Sequence, residues 1–202
     1  MNFDKVRNNL EERGFKVSCF ETSKEASDYL KSEINGKTVG FGGSVTVDTM
    51  GLYDILGENN TVNWHNKPEG GRPPKEVILA ASASQIYIAS VNGLAETGEI
   101  INIDGACNRV AAIFYGREKV YFVVGKNKIA SDYESALWRA RNIAAPLNAK
   151  RLNKKTPCAV NADRCYDCKS PERICRGLTV LWSKPSGGAE YEVVLINENL
   201  GY

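Results

Sequence analysis

Strand-like and helix-like segments alternate along the first 146 residues, and this alternation is the strongest constraint on the fold. Phe3, Val6 and Leu10 have helical spacing and stop at Gly14, a residue free to take the left-handed conformation of a C-cap. Residues 15–20 alternate apolar and polar, and Thr22-x-x-Glu25 is a capping box for a helix running to about Ser32. Lys37 to Phe41 predicts a strand, then a glycine-rich turn and a helical stretch with Met50, Tyr53 and Leu56 inward. Thr61 to Trp64 is another strand; after a loop from Pro68 to Pro74, a helix to Ser82 precedes a strand at Gln85 to Val91. The runs at 86–91 and 100–103 read as an antiparallel excursion or a broken strand. Val120 to Gly125 has the unbroken apolar character of a strand covered on both faces, and a helix capped at Ser131 is expected to end before Pro146.

This order predicts an α/β fold: a mostly parallel layered sheet flanked by helices. In the tail, Leu178 to Trp182 and Glu192 to Ile196 flank Pro185-Ser186-Gly187-Gly188, which predicts a C-terminal β-hairpin. The expected division is an α/β domain over 1–150, with a cysteine loop and hairpin over 151–202 packed on it. At 202 residues and 43% hydrophobic content the chain can bury one good core. No apolar run approaches the ~20 residues that span a bilayer, and Met1-Asn2-Phe3-Asp4-Lys5 does not begin a signal peptide, so a soluble cytoplasmic protein is expected.

Four of six cysteines, Cys158, Cys165, Cys168 and Cys175, are spaced C-x6-C-x2-C-x6-C. A Cys-x2-Cys pair places two thiolates on one ion or cluster, and the flanking pair completes a four-thiolate set. Disulfide frameworks belong to short secreted chains, whereas this one has 202 residues; a metal site is expected, with disulfides or redox-active thiols as the alternative. Residues 148–184 hold nine basic against three acidic residues, an excess that offsets the −2 left by four thiolates around zinc or an oxidised four-iron core. The x6 spacings differ from paired zinc knuckles, so a [4Fe-4S] cluster is favoured over zinc, with both open. The chain's net charge is only +2 and it has no basic stripe interleaved with aromatics, so nucleic acid is not an expected partner.

The turn Gly40-Phe41-Gly42-Gly43-Ser44-Val45-Thr46 falls where α/β sheets bind ligands. Gly42 and Gly43 let backbone N–H groups converge, and Ser44 and Thr46 add hydroxyls, an inventory suited to a small carboxylate or phosphate. It is neither a Walker loop nor a dinucleotide fingerprint. Polar groups also crowd 92–109: Glu96 as base or nucleophile, Asp104 as orienter, Arg109 as anion clamp, and Asn108 as ligand contact or helix cap. Cys107 is a further candidate nucleophile, His65 sits at a strand end, and Lys126, just past an apolar strand, can attract an anion.

Taken together, the segments 40–46, Glu96-Thr97-Gly98-Glu99-Ile100, Asn102-Ile103-Asp104-Gly105, Asn108-Arg109-Val110-Ala111 and Val123-Val124-Gly125-Lys126-Asn127-Lys128-Ile129 resemble the LUD domain, the family of lactate utilization proteins of the C type. The resemblance implies a fold akin to the ribose-phosphate isomerase, glucosamine-phosphate deaminase and coenzyme A transferase group, with Ser44, Thr46, Glu96 and Arg109 at the ligand pocket. It also implies a role in lactate or 2-hydroxy-acid oxidation beside iron-sulfur partner subunits. Pro157-Cys158, Cys165 to Cys168 and Arg173-Ile174-Cys175 are similar to the ending of shorter members, which implies electron transfer by this chain itself. A ligand-sensing module with structural zinc, and an isomerase-like or transferase-like enzyme using Glu96, are the alternatives.

Overall fold

The structure is a computed structural model and describes residues 1–67 and 69–202, so Pro68, the first residue of the expected 68–74 loop, lies outside the described residues. In chain order the elements begin α1 (Asp4–Glu12), β1 (Lys16–Phe20), α2 (Ser23–Glu33), β2 (Thr38–Phe41), α3 (Val45–Thr49), α4 (Leu52–Gly57) and β3 (Thr61–Asn63). Then follow α5 (Pro74–Ala83), β4 (Ile86–Ala89), β5 (Gly93–Ala95), β6 (Ile100–Asp104), α6 (Asn108–Phe114), β7 (Lys119–Gly125) and β8 (Ile129–Ala130). The last are α7 (Tyr133–Arg139), α8 (Ala145–Arg151), α9 (Pro157–Asn161), β9 (Gly177–Leu181) and β10 (Glu190–Ile196).

Six strands form one all-parallel sheet in the order β1-β10-β7-β4-β2-β3. The apolar run of β7 is covered on both faces: Val120, Phe122 and Val124 join one buried cluster with Leu10, Tyr87 and Val193, while Tyr121 and Val123 join another with Leu30, Phe41, Trp64 and Val194. The caps behave as their sequences require. Thr22 accepts from the Glu25 N–H, the Glu25 carboxylate accepts from the Thr22 N–H, and Gly14 takes φ +85°. Gly40 has no room for a side chain because α5 lies against it at Ala81.

The path of the chain creates the site. After β2 the chain moves outward to β3; after β4 it moves the other way, to β7 and β10. The connections therefore diverge between β2 and β4, and a crevice opens beyond their carboxyl ends, where open parallel sheets bind ligands. The chain leaves β2 into Gly42, Gly43 and Ser44, and leaves β4 into Ser90, Val91 and Asn92.

Two tail expectations need correcting. The segments around Pro185–Gly188 do not form a hairpin: β9 pairs antiparallel with β6 in a second sheet ordered β8-β5-β6-β9, whereas β10 inserts in parallel between β1 and β7. β10 is apolar from Val193 to Ile196 with all four residues buried, so it gains more from two covered faces than from one antiparallel neighbour. Nor does the helix end before Pro146. Asp132, not Ser131, caps α7 by accepting from the Ser135 N–H, and the helix passes through a wider π-type turn at Ala140–Ala144 into α8. Pro146 then stands in the first turn of α8, where its missing N–H costs little. The run at 86–91 does not pair with 100–103: β4 lies in the parallel sheet, and the antiparallel partner of β6 is β5, within the segment expected as a loop.

Candidate functional site

A cavity of about 230 Å³ occupies the crevice. Its walls come from the turn after β2 (Gly43), from His65, from Asn92 after β4, from Ile103 to Ala106 with Asn108 and Arg109, and from Ala144, Ala145, Asn148 and Arg151 around the π-type turn. A smaller chamber of about 50 Å³ adjoins it, sharing Gly43, Asn92, Arg109, Asn148 and Arg151 and adding Ser44, Ser90, Lys128 and Tyr202. The titratable side chains of the lining are Arg109, Arg151, Lys128, His65 and Tyr202 against one carboxylate side chain, Asp104, so the site favours an anion.

Arg109 organises the walls. Its Nη2 donates to the Ile103 carbonyl at 2.6 Å and to Asn92 Oδ1 at 3.0 Å, and its Nε lies 3.8 Å from Asp104 Oδ2. Asp104 in turn accepts the backbone N–H of Arg109 and Val110, capping α6 with its side chain. Asn108 is therefore the first helical residue rather than the cap, and it faces the main cavity. A Cβ on Gly42 would lie 2.7 Å from Arg109 Cγ, so the glycine leaves room for the arginine stem. Burial holds the Arg109 guanidinium below its ordinary range, with Asp104 opposing.

Lys128 is 4% exposed, and its Nζ donates to Thr46 Oγ1 at 2.8 Å and to Ser90 Oγ at 2.9 Å. Both hydroxyls pass their own protons on: Thr46 to the Leu200 carbonyl at 3.0 Å, Ser90 to the Val123 carbonyl at 2.6 Å. Burial, reinforced by Arg139 and Arg109, pulls the amine from 10.5 down to about 7. Arg139 is itself held at about 10 by burial and donates to the carbonyls of Asn127 and Asn92. Burial also depresses His65, keeping it neutral near pH 7, and its buried Nδ1 has no partner among the described residues.

Of the residues expected at the site, Gly43, Ser44, Asp104, Asn108 and Arg109 line the two chambers, and Gly42 and Thr46 stand directly behind them. Ser44 also accepts from the Val47 N–H as the cap of α3. Glu96 lies apart: its carboxylate pairs with Lys5 at 2.8 Å on the α1 side. Lys126 is also apart, with its Nζ on Asn197 Oδ1 at 3.3 Å. Cys107 is exposed, takes φ +61° and packs on Gly177. Lys128, Asn148 and Arg151 were not among the expected ligand contacts. The sequence signal for Lys128 was its place two residues beyond Lys126 at the same strand end.

The four cysteines of the tail are free and line one narrow pocket of about 10 Å³, together with Arg141, Thr156 and Arg173. Among the described residues no three His, Cys, Asp or Glu side chains converge on one point as a single ion requires. Donors surround the sulfurs. Arg173 Nε donates to Cys175 Sγ at 3.2 Å, the Asp167 N–H to Cys165 Sγ at 3.4 Å, and the Thr156 hydroxyl lies 3.2 Å from Cys158 Sγ. Four thiols with N–H and O–H donors beside three of the sulfurs have the chemistry that a thiolate-bound metal centre would use. Among the described residues, 162–176 form no helix or strand. Ala145 and Ile174 wall both this pocket and the anion cavity.

The LUD domain pattern matches residues 3–196. The chain belongs to the LUD domain family. Its fold is similar to the crystal structure of a DUF162 family protein from Deinococcus radiodurans, with a TM-score of 0.54 over 97% of this chain and 98% of that one at 11% identity. No curated protein matches the sequence significantly. Among the described residues no helix is long and apolar enough to cross a membrane.

Proposed function

We propose that this LUD domain protein binds a small 2-hydroxy carboxylate such as lactate in the crevice and carries a four-cysteine metal centre, a [4Fe-4S] cluster in preference to zinc, that exchanges electrons with iron-sulfur partner subunits. The observation that carries the reading is the wall shared by the two sites: Ala145 and Ile174 separate a cationic, carboxylate-sized cavity from the pocket of Cys158, Cys165, Cys168 and Cys175. Arg151, oriented by two hydrogen bonds to Asn148 Oδ1, is placed to hold the carboxylate, while Arg109 keeps the loops around it fixed. His65 lines the cavity and is neutral near pH 7, which makes it the candidate to take a proton from a bound hydroxyl. When bound, the cluster supplies one-electron transfer. Reconstitution of the alternative enzyme around Glu96 finds no support, because that carboxylate is tied to Lys5 outside the cavity.

The test is anaerobic purification with iron, sulfide and zinc analysis and a visible spectrum, on wild type and on Cys165→Ser/Cys168→Ser, with calorimetric titration of lactate. Stoichiometric iron and sulfide, a dithionite-bleached absorption lost in the variant, and lactate binding lost in Arg151→Ala are expected. A colourless protein holding about one zinc would refute the electron-transfer role.

A further inference from the structure

Lys128 has a chemistry that carboxylate binding alone does not require. Lys128 lines the small chamber, its two hydrogen-bonded neighbours both act as acceptors because their own protons are committed to carbonyls, and among the described residues no carboxylate is paired with it. A neutral amine satisfies this arrangement completely: two N–H groups for Thr46 and Ser90, and one lone pair left over. An ammonium would bring a third N–H that finds no acceptor among the described residues. The charged side chains that act on it are Arg139 and Arg109, the latter 3.8 Å from Asp104, and Arg151 and the titratable Tyr202 line the same chamber. Desolvation beside other cations is the setting that makes a lysine nucleophilic towards carbonyl carbon.

We propose that Lys128 is a nucleophilic amine that condenses with the carbonyl of a small 2-oxo acid whose carboxylate is held by Arg151. The inference rests on reading the crevice as a small-carboxylate site, and it is independent of the metal centre. A 2-oxo acid is the oxidised form of a 2-hydroxy acid, so the ligand class follows from the same cavity. In the step, the Nζ lone pair adds to the carbonyl carbon, forming a C–N bond. The carbonyl oxygen then leaves as water, taking the two amine protons, and a C=N bond remains. Thr46 and Ser90 lie within hydrogen-bond distance of the nitrogen and orient it by accepting its N–H groups. No oxidant or reductant is consumed.

The experiment is trapping on the wild-type protein. It is incubated with pyruvate, or with glyoxylate as a smaller probe, in cyanoborohydride, then digested and mapped by mass spectrometry. At pH 7 an amine held at about 7 has on the order of a thousandfold more of its neutral form than an ordinary lysine, so the reduced adduct is expected on Lys128 far ahead of Lys126 and the surface lysines. The trapping rate should rise with pH to about 7 and then level off. Lys128→Arg, with folding checked by circular dichroism, should lose the adduct while Lys126→Arg keeps it. An adduct that is absent from Lys128, or spread evenly over exposed lysines, overturns the proposal. Pyruvate affinity measured separately by calorimetry reports on the carboxylate site itself, so binding without an adduct removes the imine and leaves the proposed function standing.

Discussion

Replacing Lys128 by methionine tests the buried amine through stability alone. An amine held at about 7 instead of 10.5 costs the fold about 4 to 5 kcal/mol when it must carry its proton, at about 1.4 kcal/mol per pH unit. Below pH 7 the amine is protonated both folded and unfolded, so the wild type bears this cost in full. Between about 7 and 10.5 the unfolded chain keeps the proton that the folded chain has released, and the wild type gains stability as pH rises. Methionine removes the cost and forfeits two hydrogen bonds, each about 1 kcal/mol net; Thr46 and Ser90 still donate to their carbonyls. The variant should therefore be more stable by roughly 2 to 3 kcal/mol at pH 6, and above about pH 7 that advantage should shrink by about 1.4 kcal/mol per pH unit and vanish near pH 9. Urea unfolding of both proteins at pH 6, 7.5 and 9 measures the difference, in which every other titrating group cancels. A gap that stays constant across this range would refute the account of a buried, depressed amine.

Gly42→Ala should push its new Cβ into the Arg109 stem, destabilise the protein by about 1 to 3 kcal/mol and weaken lactate binding, both read by calorimetry. Glu96→Gln should cost under about 1 kcal/mol and leave lactate affinity unchanged, since its partner Lys5 is largely exposed; a lost ligand response would return Glu96 to the site.

The local grammar of the chain was legible where the physics is local. Gly14, the Thr22–Glu25 box and the apolar run of β7 announced their elements because capping and two-sided burial need only neighbouring residues. The destination of β10 was not legible. Pro185 to Gly188 is a genuine turn signal, but which strand a segment joins depends on partners more than 60 residues away in sequence, at Lys119–Gly125 and Lys16–Phe20. At the site, the turn after β2 and the cluster at Asp104, Asn108 and Arg109 were readable from residue type and position. Arg151 and Asn148 were hidden by Pro146, which reads as a helix stop unless a π-type turn precedes it. Lys126 and Lys128 are the same residue type two positions apart, and only the turn at 126–128 decides which of them is buried.

The position of β10 also sets a schedule. On the ribosome β1 emerges within the first 20 residues, yet its sole neighbour in the parallel sheet is β10, which is complete only at Ile196. Until then β1 and β7 each present an unpaired edge of apolar backbone, the kind of surface that recruits another chain. Nascent copies stalled before residue 190 are thus the form of this protein most exposed to aggregation and most in need of a chaperone, and the large sheet closes in one late event that joins its first strand to the rest.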